Sequence, residues 1–431
     1  MERIAQELAR RGVTEFEIFY EESIQQPVSF EQNVLQNLEF RKEAGVGVRV
    51  ILDGRIGFTA SSDLRDPKAI ADSAMASARL GSEAVFSFPG PSSFPTLSFE
   101  GGGWPVEERL RLGKEAVSEL SSLVPGLMVG FTASEILIRN RIINSSGIDV
   151  SYEKPVYLLI VYVSGMTETG YLSDGEYRYF TRPPAPNDVI SPIKERIKRA
   201  LVPGRIPPGK KKVILAPGVM SLMLDSLEMG INGKNVVKGS SPLKERLDEK
   251  IMGECITIWD NPLHPMLAGS RPFDDEGRPS RPRPILERGI LRSYNLDLWS
   301  AAKLDREPTG SSARNNYKQL PYPGFSNVMM EGGSVTLDEM IGSVDEGIIV
   351  YDPIGRGQSN MMAGDFSFNV GLGFVIAGGE LAGRLKDVMV AGNFYEDSHR
   401  ITSLTKEREP HGTLLLPYAL FDGLSVSVKE T

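Results

Sequence analysis

Gly45-Val46-Gly47-Val48-Arg49-Val50-Ile51-Leu52-Asp53-Gly54-Arg55-Ile56-Gly57-Phe58 is the stretch on which the fold is read. Two apolar runs flank Asp53-Gly54, a pair that tolerates the positive φ of a two-residue hairpin turn, so the stretch predicts two antiparallel strands. Working outward, residues 15–20 and 27–32 read as strands. Residues 1–12 read as an amphipathic helix with Ile4, Ala5, Leu8 and Ala9 on one face and Gly12 at its end. Residues 66–80 predict a second helix, with Pro67 in the first turn, Ile70, Ala71, Ala74 and Ala78 on one face, and Gly81 at the stop. A strand meander with helices packed on one face is an α+β design.

Residues 86–103 are rich in Pro, Ser and Gly and read as a linker. A helix over 105–123 follows it. Strands over 136–143 and 149–163 are joined by the turn Asn144-Ser145-Ser146-Gly147, and another helix covers 189–201. Pro203-Gly204 and Pro207-Pro208-Gly209 mark the next boundary. Beyond it the expected elements are a strand at 212–216, a helix at 218–229, a hairpin across 284–295, and strands at 348–351, 366–376 and 380–385. The expected organisation is an N-terminal α+β unit over 1–90, a middle unit over 104–202 and a β-rich domain over 211–431.

Composition excludes several classes. Lys and Arg number 48 against 56 Asp and Glu, a net charge of -8, which argues against direct nucleic-acid binding through a surplus of cations facing phosphates. Cys255 is the only cysteine, so an internal disulfide, a Cys-x-x-Cys pair and a thiolate zinc cluster are excluded. His264, His399 and His411 are too far apart to share a helical face. The sequence has no P-loop, no His-Glu-x-x-His and no Gly-x-Ser-x-Gly, and Gly371-Leu372-Gly373 lacks the third glycine of a dinucleotide loop. The apolar run 156–163 is too short to cross a bilayer, and the first residues carry no secretory apolar region. The expectation is a cytoplasmic protein with no membrane partner.

Ser270-Arg271-Pro272-Phe273-Asp274-Asp275-Glu276-Gly277 lies in the densest polar cluster. Three adjacent acids can ligate a hard cation, but adjacent loop side chains diverge and an acid before glycine is common turn chemistry. The turn is the expectation. Gly355-Arg356-Gly357-Gln358-Ser359-Asn360 and Ala363-Gly364-Asp365-Phe366-Ser367 fit either a cleft lining or a tight structural loop. Cys255, in the stretch 254–258, reads as a buried residue of a strand.

Taken in order, these motifs resemble the TldD/PmbA family, also described as TldD/TldE proteases or modulators of DNA gyrase. The resemblance rests on 45–50, 53–58, Asn144-Ser145-Ser146-Gly147, 270–277, Glu331-Gly332-Gly333, 355–358 and 363–367. It implies an N-terminal α+β part, a barrel-like β-rich C-terminal part, and a two-subunit assembly that degrades unfolded peptides. In the TldD-type subunit a His-Glu-x-x-x-His helix and a later cysteine bind the catalytic metal. Here the equivalent helix reads Leu222-Met223-Leu224-Asp225-Ser226-Leu227-Glu228-Met229, without histidine, and Cys255 lies too early. Asp225 and Glu228 share a face, but two carboxylates without imidazole suit zinc poorly.

The chain is therefore similar to the PmbA/TldE type, the partner without the metal site. The expected function is a non-catalytic subunit of a peptidase complex, with no catalytic residue and no metal ligand of its own. Zinc or a similar metal is expected only in a TldD-type paralogue. The expected assembly is a heterodimer with that paralogue, or a homodimer. Arg271, Asp274, Asp275, Glu276, Arg314, Asp365 and Ser367 are the candidate residues of a cleft that holds an unfolded peptide. The alternative is a stand-alone binding protein, such as a gyrase modulator, without proteolysis.

Overall fold

Residues 1–99, 101–168, 170–355 and 360–429 are described by the computed structural model. Arg356, Gly357, Gln358 and Ser359 of the glycine-rich motif lie outside the described residues. The architecture is mixed α+β. β1 (Glu15–Glu31), β2 (Val34–Asn37), β3 (Arg41–Leu52), β4 (Arg55–Ser61), β5 (Met128–Asn144), β6 (Asp149–Thr167) and β7 (Gly170–Phe180) form one sheet. Their order is β4-β3-β1-β5-β6-β7, and β2 pairs with the end of β1. Residues on both sides of the 86–103 linker thus share a sheet, with β1 and β5 paired from Glu17↔Asn144 to Phe30↔Phe131.

The hairpin forms at Asp53-Gly54, with φ of 49° and 72°. The strands expected at 15–20 and 27–32 are instead one strand of 17 residues. Gln25-Gln26-Pro27 looks like an interruption, but β5 pairs across it without a break. On the other side of β1 the neighbour changes there, from β3 at Gln25↔Arg41 to β2 at Ser29↔Asn37.

Helices α1 (Glu2–Arg10) and α2 (Pro67–Ala78) cover one face of this sheet. Ile4, Leu8, Ile70 and Ala74 pack against Phe16, Ile18, Val46, Val48 and Val50. Asp66 caps α2 by accepting from the Ala69 N–H at 3.0 Å. Because side chains alternate along a strand, Gly45, Gly47 and Arg49 point away from these helices. The glycines are small because Tyr317 lies against them: a Cβ on Gly47 would approach the Tyr317 carbonyl oxygen to 2.5 Å. α3 (Val106–Ser121) and α4 (Asn187–Arg199) cover the other end of the sheet, where Leu112, Ala116, Val189 and Ile193 meet Phe131 and Val161.

The second sheet closes on itself. β8 (Gly209–Leu215) pairs with strand Glu346–Ile354, which pairs in turn with Asp365–Ala377, Val388–Asn393 and Leu414–Val428. Leu414–Val428 then pairs back onto β8, completing a five-stranded barrel. Closure removes the unpaired edges of these strands. Helix α5 (Pro217–Ile231) packs on the barrel through Met220, Met223, Leu224 and Leu227.

Candidate functional site

The loop between strands Ile258–Asp260 and Arg283–Glu287 carries the acidic cluster to the face of the first sheet that α1 and α2 leave open. It turns as the acid-glycine spacing predicts: the Gly277 N–H donates to the Asp274 carbonyl at 3.0 Å, and Gly277 has φ of +75°. The Asp274 carboxylate accepts from the backbone N–H groups of Glu276, Arg278 and Ser312 at 2.9–3.0 Å. It holds the turn against the Ser312–Ala313 segment.

Glu276 reaches in the opposite direction. It accepts from Arg49 on β3 and from the Leu298 N–H, both at 2.8 Å. Arg49 also pairs with Glu17, its cross-strand neighbour, at 2.5 Å. Glu17 in turn accepts from Arg314, whose guanidinium lies over the Phe19 ring at 4.7 Å. Burial alone raises the Glu17 carboxyl, and the guanidinium groups of Arg49 and Arg314 reverse that and hold it below its ordinary value. This quartet joins the loop to the first sheet, with Phe273 and Tyr317 packed beside it on Phe19 and Ile142.

Next to the quartet is a cavity of about 290 Å³. Arg271, Asp275 and Arg314 line it, so three of the residues singled out in the sequence converge here, joined by Glu21, Tyr152 and Lys154 from the first sheet. Asp275 bridges Arg271 at 3.2 Å and accepts from the Arg314 N–H at 2.6 Å. The Lys154 ammonium donates to the carbonyls of Ala268 and Ser270 at 2.6 and 2.9 Å. Burial, reinforced by the Arg271 charge, pushes it down to about 7. Burial and the neighbouring Asp275 push the Glu21 carboxyl up to about 7.

Asp365 and Ser367 are placed elsewhere, on the barrel. Asp365 accepts from Asn393 at 2.9 Å. Ser367 lines a separate pocket of about 100 Å³ with Asp225 and Leu222 of α5. Glu228, one turn further along α5, is pushed up to about 7 by burial and by Asp225. Cys255 departs from its expected place: it sits in an exposed turn before strand Ile258–Asp260, and its thiol faces the Ile401 carbonyl at 3.5 Å. Among the described residues, no three His, Cys, Asp or Glu side chains come together in a metal-binding arrangement. The donor chemistry of α5 does not fit a zinc-type metal.

Glu17, Arg49, Glu21 and Lys154 were not identified from sequence. Their signal was a charge inside an otherwise apolar strand, as in Val48-Arg49-Val50 and Phe16-Glu17-Ile18. A polar position flanked by buried neighbours requires partners, but those of Arg49, Glu17 and Glu276, lie 32 and 227 residues away.

Residues 208–428 match the model of the PmbA/TldA metallopeptidase C-terminal domain, and residues 16–78 match domain 1 of the same family. A metalloprotease TldD homolog of Haemophilus influenzae is 24% identical over 424 residues, covering 93% of this chain and 87% of the relative. The fold is shared with TldE of Thermococcus kodakarensis, at TM-score 0.89 and 24% identity over 98% of this chain and 100% of the other. It is shared equally with a Thermotoga maritima protein described as a candidate modulator of a DNA gyrase, at TM-score 0.89 and 24% identity over 99% of both chains.

Proposed function

Because the chain belongs to the PmbA/TldA metallopeptidase family, we propose that it is the metal-free subunit of a two-subunit peptidase. Its partner is a TldD-type paralogue with a His-Glu-x-x-x-His helix, and its own role is to help hold an extended, unfolded peptide. The observation that carries this reading is the composition of α5, which offers Asp225 and Glu228 and no imidazole. Peptidase zinc sites of the His-Glu type keep two helical imidazoles, a third protein ligand and an open position for water. A subunit without imidazole on that helix contributes binding surface and enclosure. Extended peptides are held by main-chain pairing to a strand edge with little demand on side chains.

The arm formed by β2 and the following turn supports a partner. Val34, Leu35, Leu38 and Phe40 are exposed together on it, and a cluster of exposed apolar side chains marks an interaction surface. No helix among the described residues is long and apolar enough to cross a membrane.

The test is to mix the purified chain with a His-Glu-x-x-x-His paralogue and assay cleavage of an unfolded peptide, with each chain alone as control. The expected result is that the mixture cleaves, that this chain alone does not, and that a chelator abolishes the activity. If the two chains neither associate nor cleave together, the subunit reading fails and a stand-alone binding protein takes its place.

A further inference from the structure

Four buried side-chain atoms of residues that line the 290 Å³ cavity have no hydrogen-bond partner among the described residues: Arg271 Nε and Nη2, Ser326 Oγ and Asn140 Oδ1. Buried polar atoms are almost always satisfied, so a concentration of exceptions around one cavity calls for an occupant. Arg271 is 7% exposed, and its Nη1 is engaged by Asp275. Nε and Nη2 form the other edge of the guanidinium, a planar two-donor fork whose spacing matches the two oxygens of a carboxylate. Ser326 adds a hydroxyl donor. Asn140 Nδ2 is held by the Tyr152 hydroxyl at 2.8 Å, which leaves its Oδ1 as an acceptor.

Two donors on one edge, a third nearby and a separate acceptor match a carboxylate next to an N–H group. We propose that this cavity is a carboxylate-binding site that receives the C-terminal residue of a peptide. Arg271 grips the carboxylate, Ser326 donates a further hydrogen bond, and Asn140 accepts from the peptide N–H. Ile138 and Phe325 supply apolar wall for a small side chain, and the volume suits one or two residues. Charge in the cavity permits this: Arg271, Arg314 and Lys154 face Asp275 and Glu21, and burial keeps Glu21 largely protonated below its raised titration point.

The site deepens the peptide-holding role proposed above and rests on it for the nature of the ligand. Its test uses this chain alone, so failure to pair with a paralogue does not affect the result. Likewise, a cleaving mixture does not rescue a cavity that fails the test.

The experiment is calorimetric titration of the full chain with N-acetyl-alanyl-alanine, its C-terminal amide, and acetate. The free acid is expected to bind, and the amide to bind about tenfold more weakly or worse, the loss typical of a charge-assisted pair. R271K keeps the charge beside Asp275 but removes the fork, and is expected to weaken the acid to a similar degree. S326A removes one donor without disturbing an ion pair and is expected to lower affinity severalfold, which keeps the test decisive if R271K does not fold. Equal binding of acid and amide, or no binding of the acid at millimolar concentration, overturns the proposal. Acetate binding as tightly as the dipeptide overturns the peptide-end assignment in favour of small free acids.

Discussion

The quartet Glu17, Arg49, Glu276 and Arg314 and the cavity at Arg271 are built by the same loop on the same face of the same sheet, yet they are finished differently. In the quartet each guanidinium faces a carboxylate, and Arg49 spans two of them. At the cavity the Arg271 fork, Nε and Nη2, is buried without a hydrogen-bond partner. Buried ion pairs that are fully satisfied act as structural joints, because removing one member strands the others without water. An open fork in a lined cavity is instead suited to receive a group from outside. The two regions therefore differ in what a mutation should damage: stability in the first, binding in the second.

The largest expected effect is at the joint. E17A leaves Arg49 and Arg314 buried beside a missing charge and is expected to cost about 3–5 kcal/mol in urea unfolding, with E17Q costing less because it keeps the shape and one acceptor. A loss below about 1 kcal/mol, the range of surface pairs, would erase the contrast. The pH dependence follows from the sign of the shift. Glu17 is held below its ordinary value of 4.5 in the folded protein. Its stabilisation is therefore present above that value and is lost as pH falls through the folded one. The gap in stability between the native protein and E17Q should narrow in acid and stay constant from pH 6 to 8.

A smaller loss is expected at the glycines of the same seam. G47A places a Cβ against the Tyr317 backbone, which cannot swing aside as a side chain end does. Overpacking of this kind costs about 1–3 kcal/mol, to be read as a lowered urea midpoint. Val48→Ala on the opposite face is the informative partner. It leaves a void against α1 and α2 instead of a clash, so the two variants separate the two faces of one strand.

That strand also shows what was legible in the sequence. Gly45-Val46-Gly47-Val48-Arg49 gave the strand, its hairpin and its alternation, because turn residues and period-two patterning act over a few positions. The helices at 66–80, 105–123 and 189–201 were legible for the same local reason. β7 was not, since Asp174, Gly175 and Glu176 interrupt its apolar pattern and Arg196 of α4, which pairs with both acids, lies 20 and more residues away. The last barrel strand, Leu414–Val428, carries Pro417 and Gly423, and its pairing with β8 spans half the chain. At the site, Arg271 and Asp275 stood out by local density of charge, and Asp274 by turn chemistry. Lys154 and Glu21 did not, because their meaning depends on which loop lies over the sheet, and no local pattern encodes that.

The effect expected to be smallest at neutral pH tests the cavity side of the comparison through Lys154. Its ammonium is pushed down from 10.5 to about 7 by burial, with Arg271 adding to the shift. Between these values the unfolded chain binds more protons than the folded one, so stability gains from this residue as pH rises from about 7 to 10.5, while below 7 the folded protein carries the full cost of the buried charge. K154M removes the titration and roughly preserves the volume, at the expense of two hydrogen bonds to Ala268 and Ser270. Near pH 7 the variant should lie close to the native protein, since the lost hydrogen bonds and the relieved charge oppose one another. At pH 9.5 it should be clearly the less stable of the two. Urea midpoints at the two pH values give the answer. A difference between native and K154M that does not change with pH would mean that this ammonium is solvated, and the cavity would then be an ordinary wet cleft and not a site closed enough for one open fork to select a carboxylate.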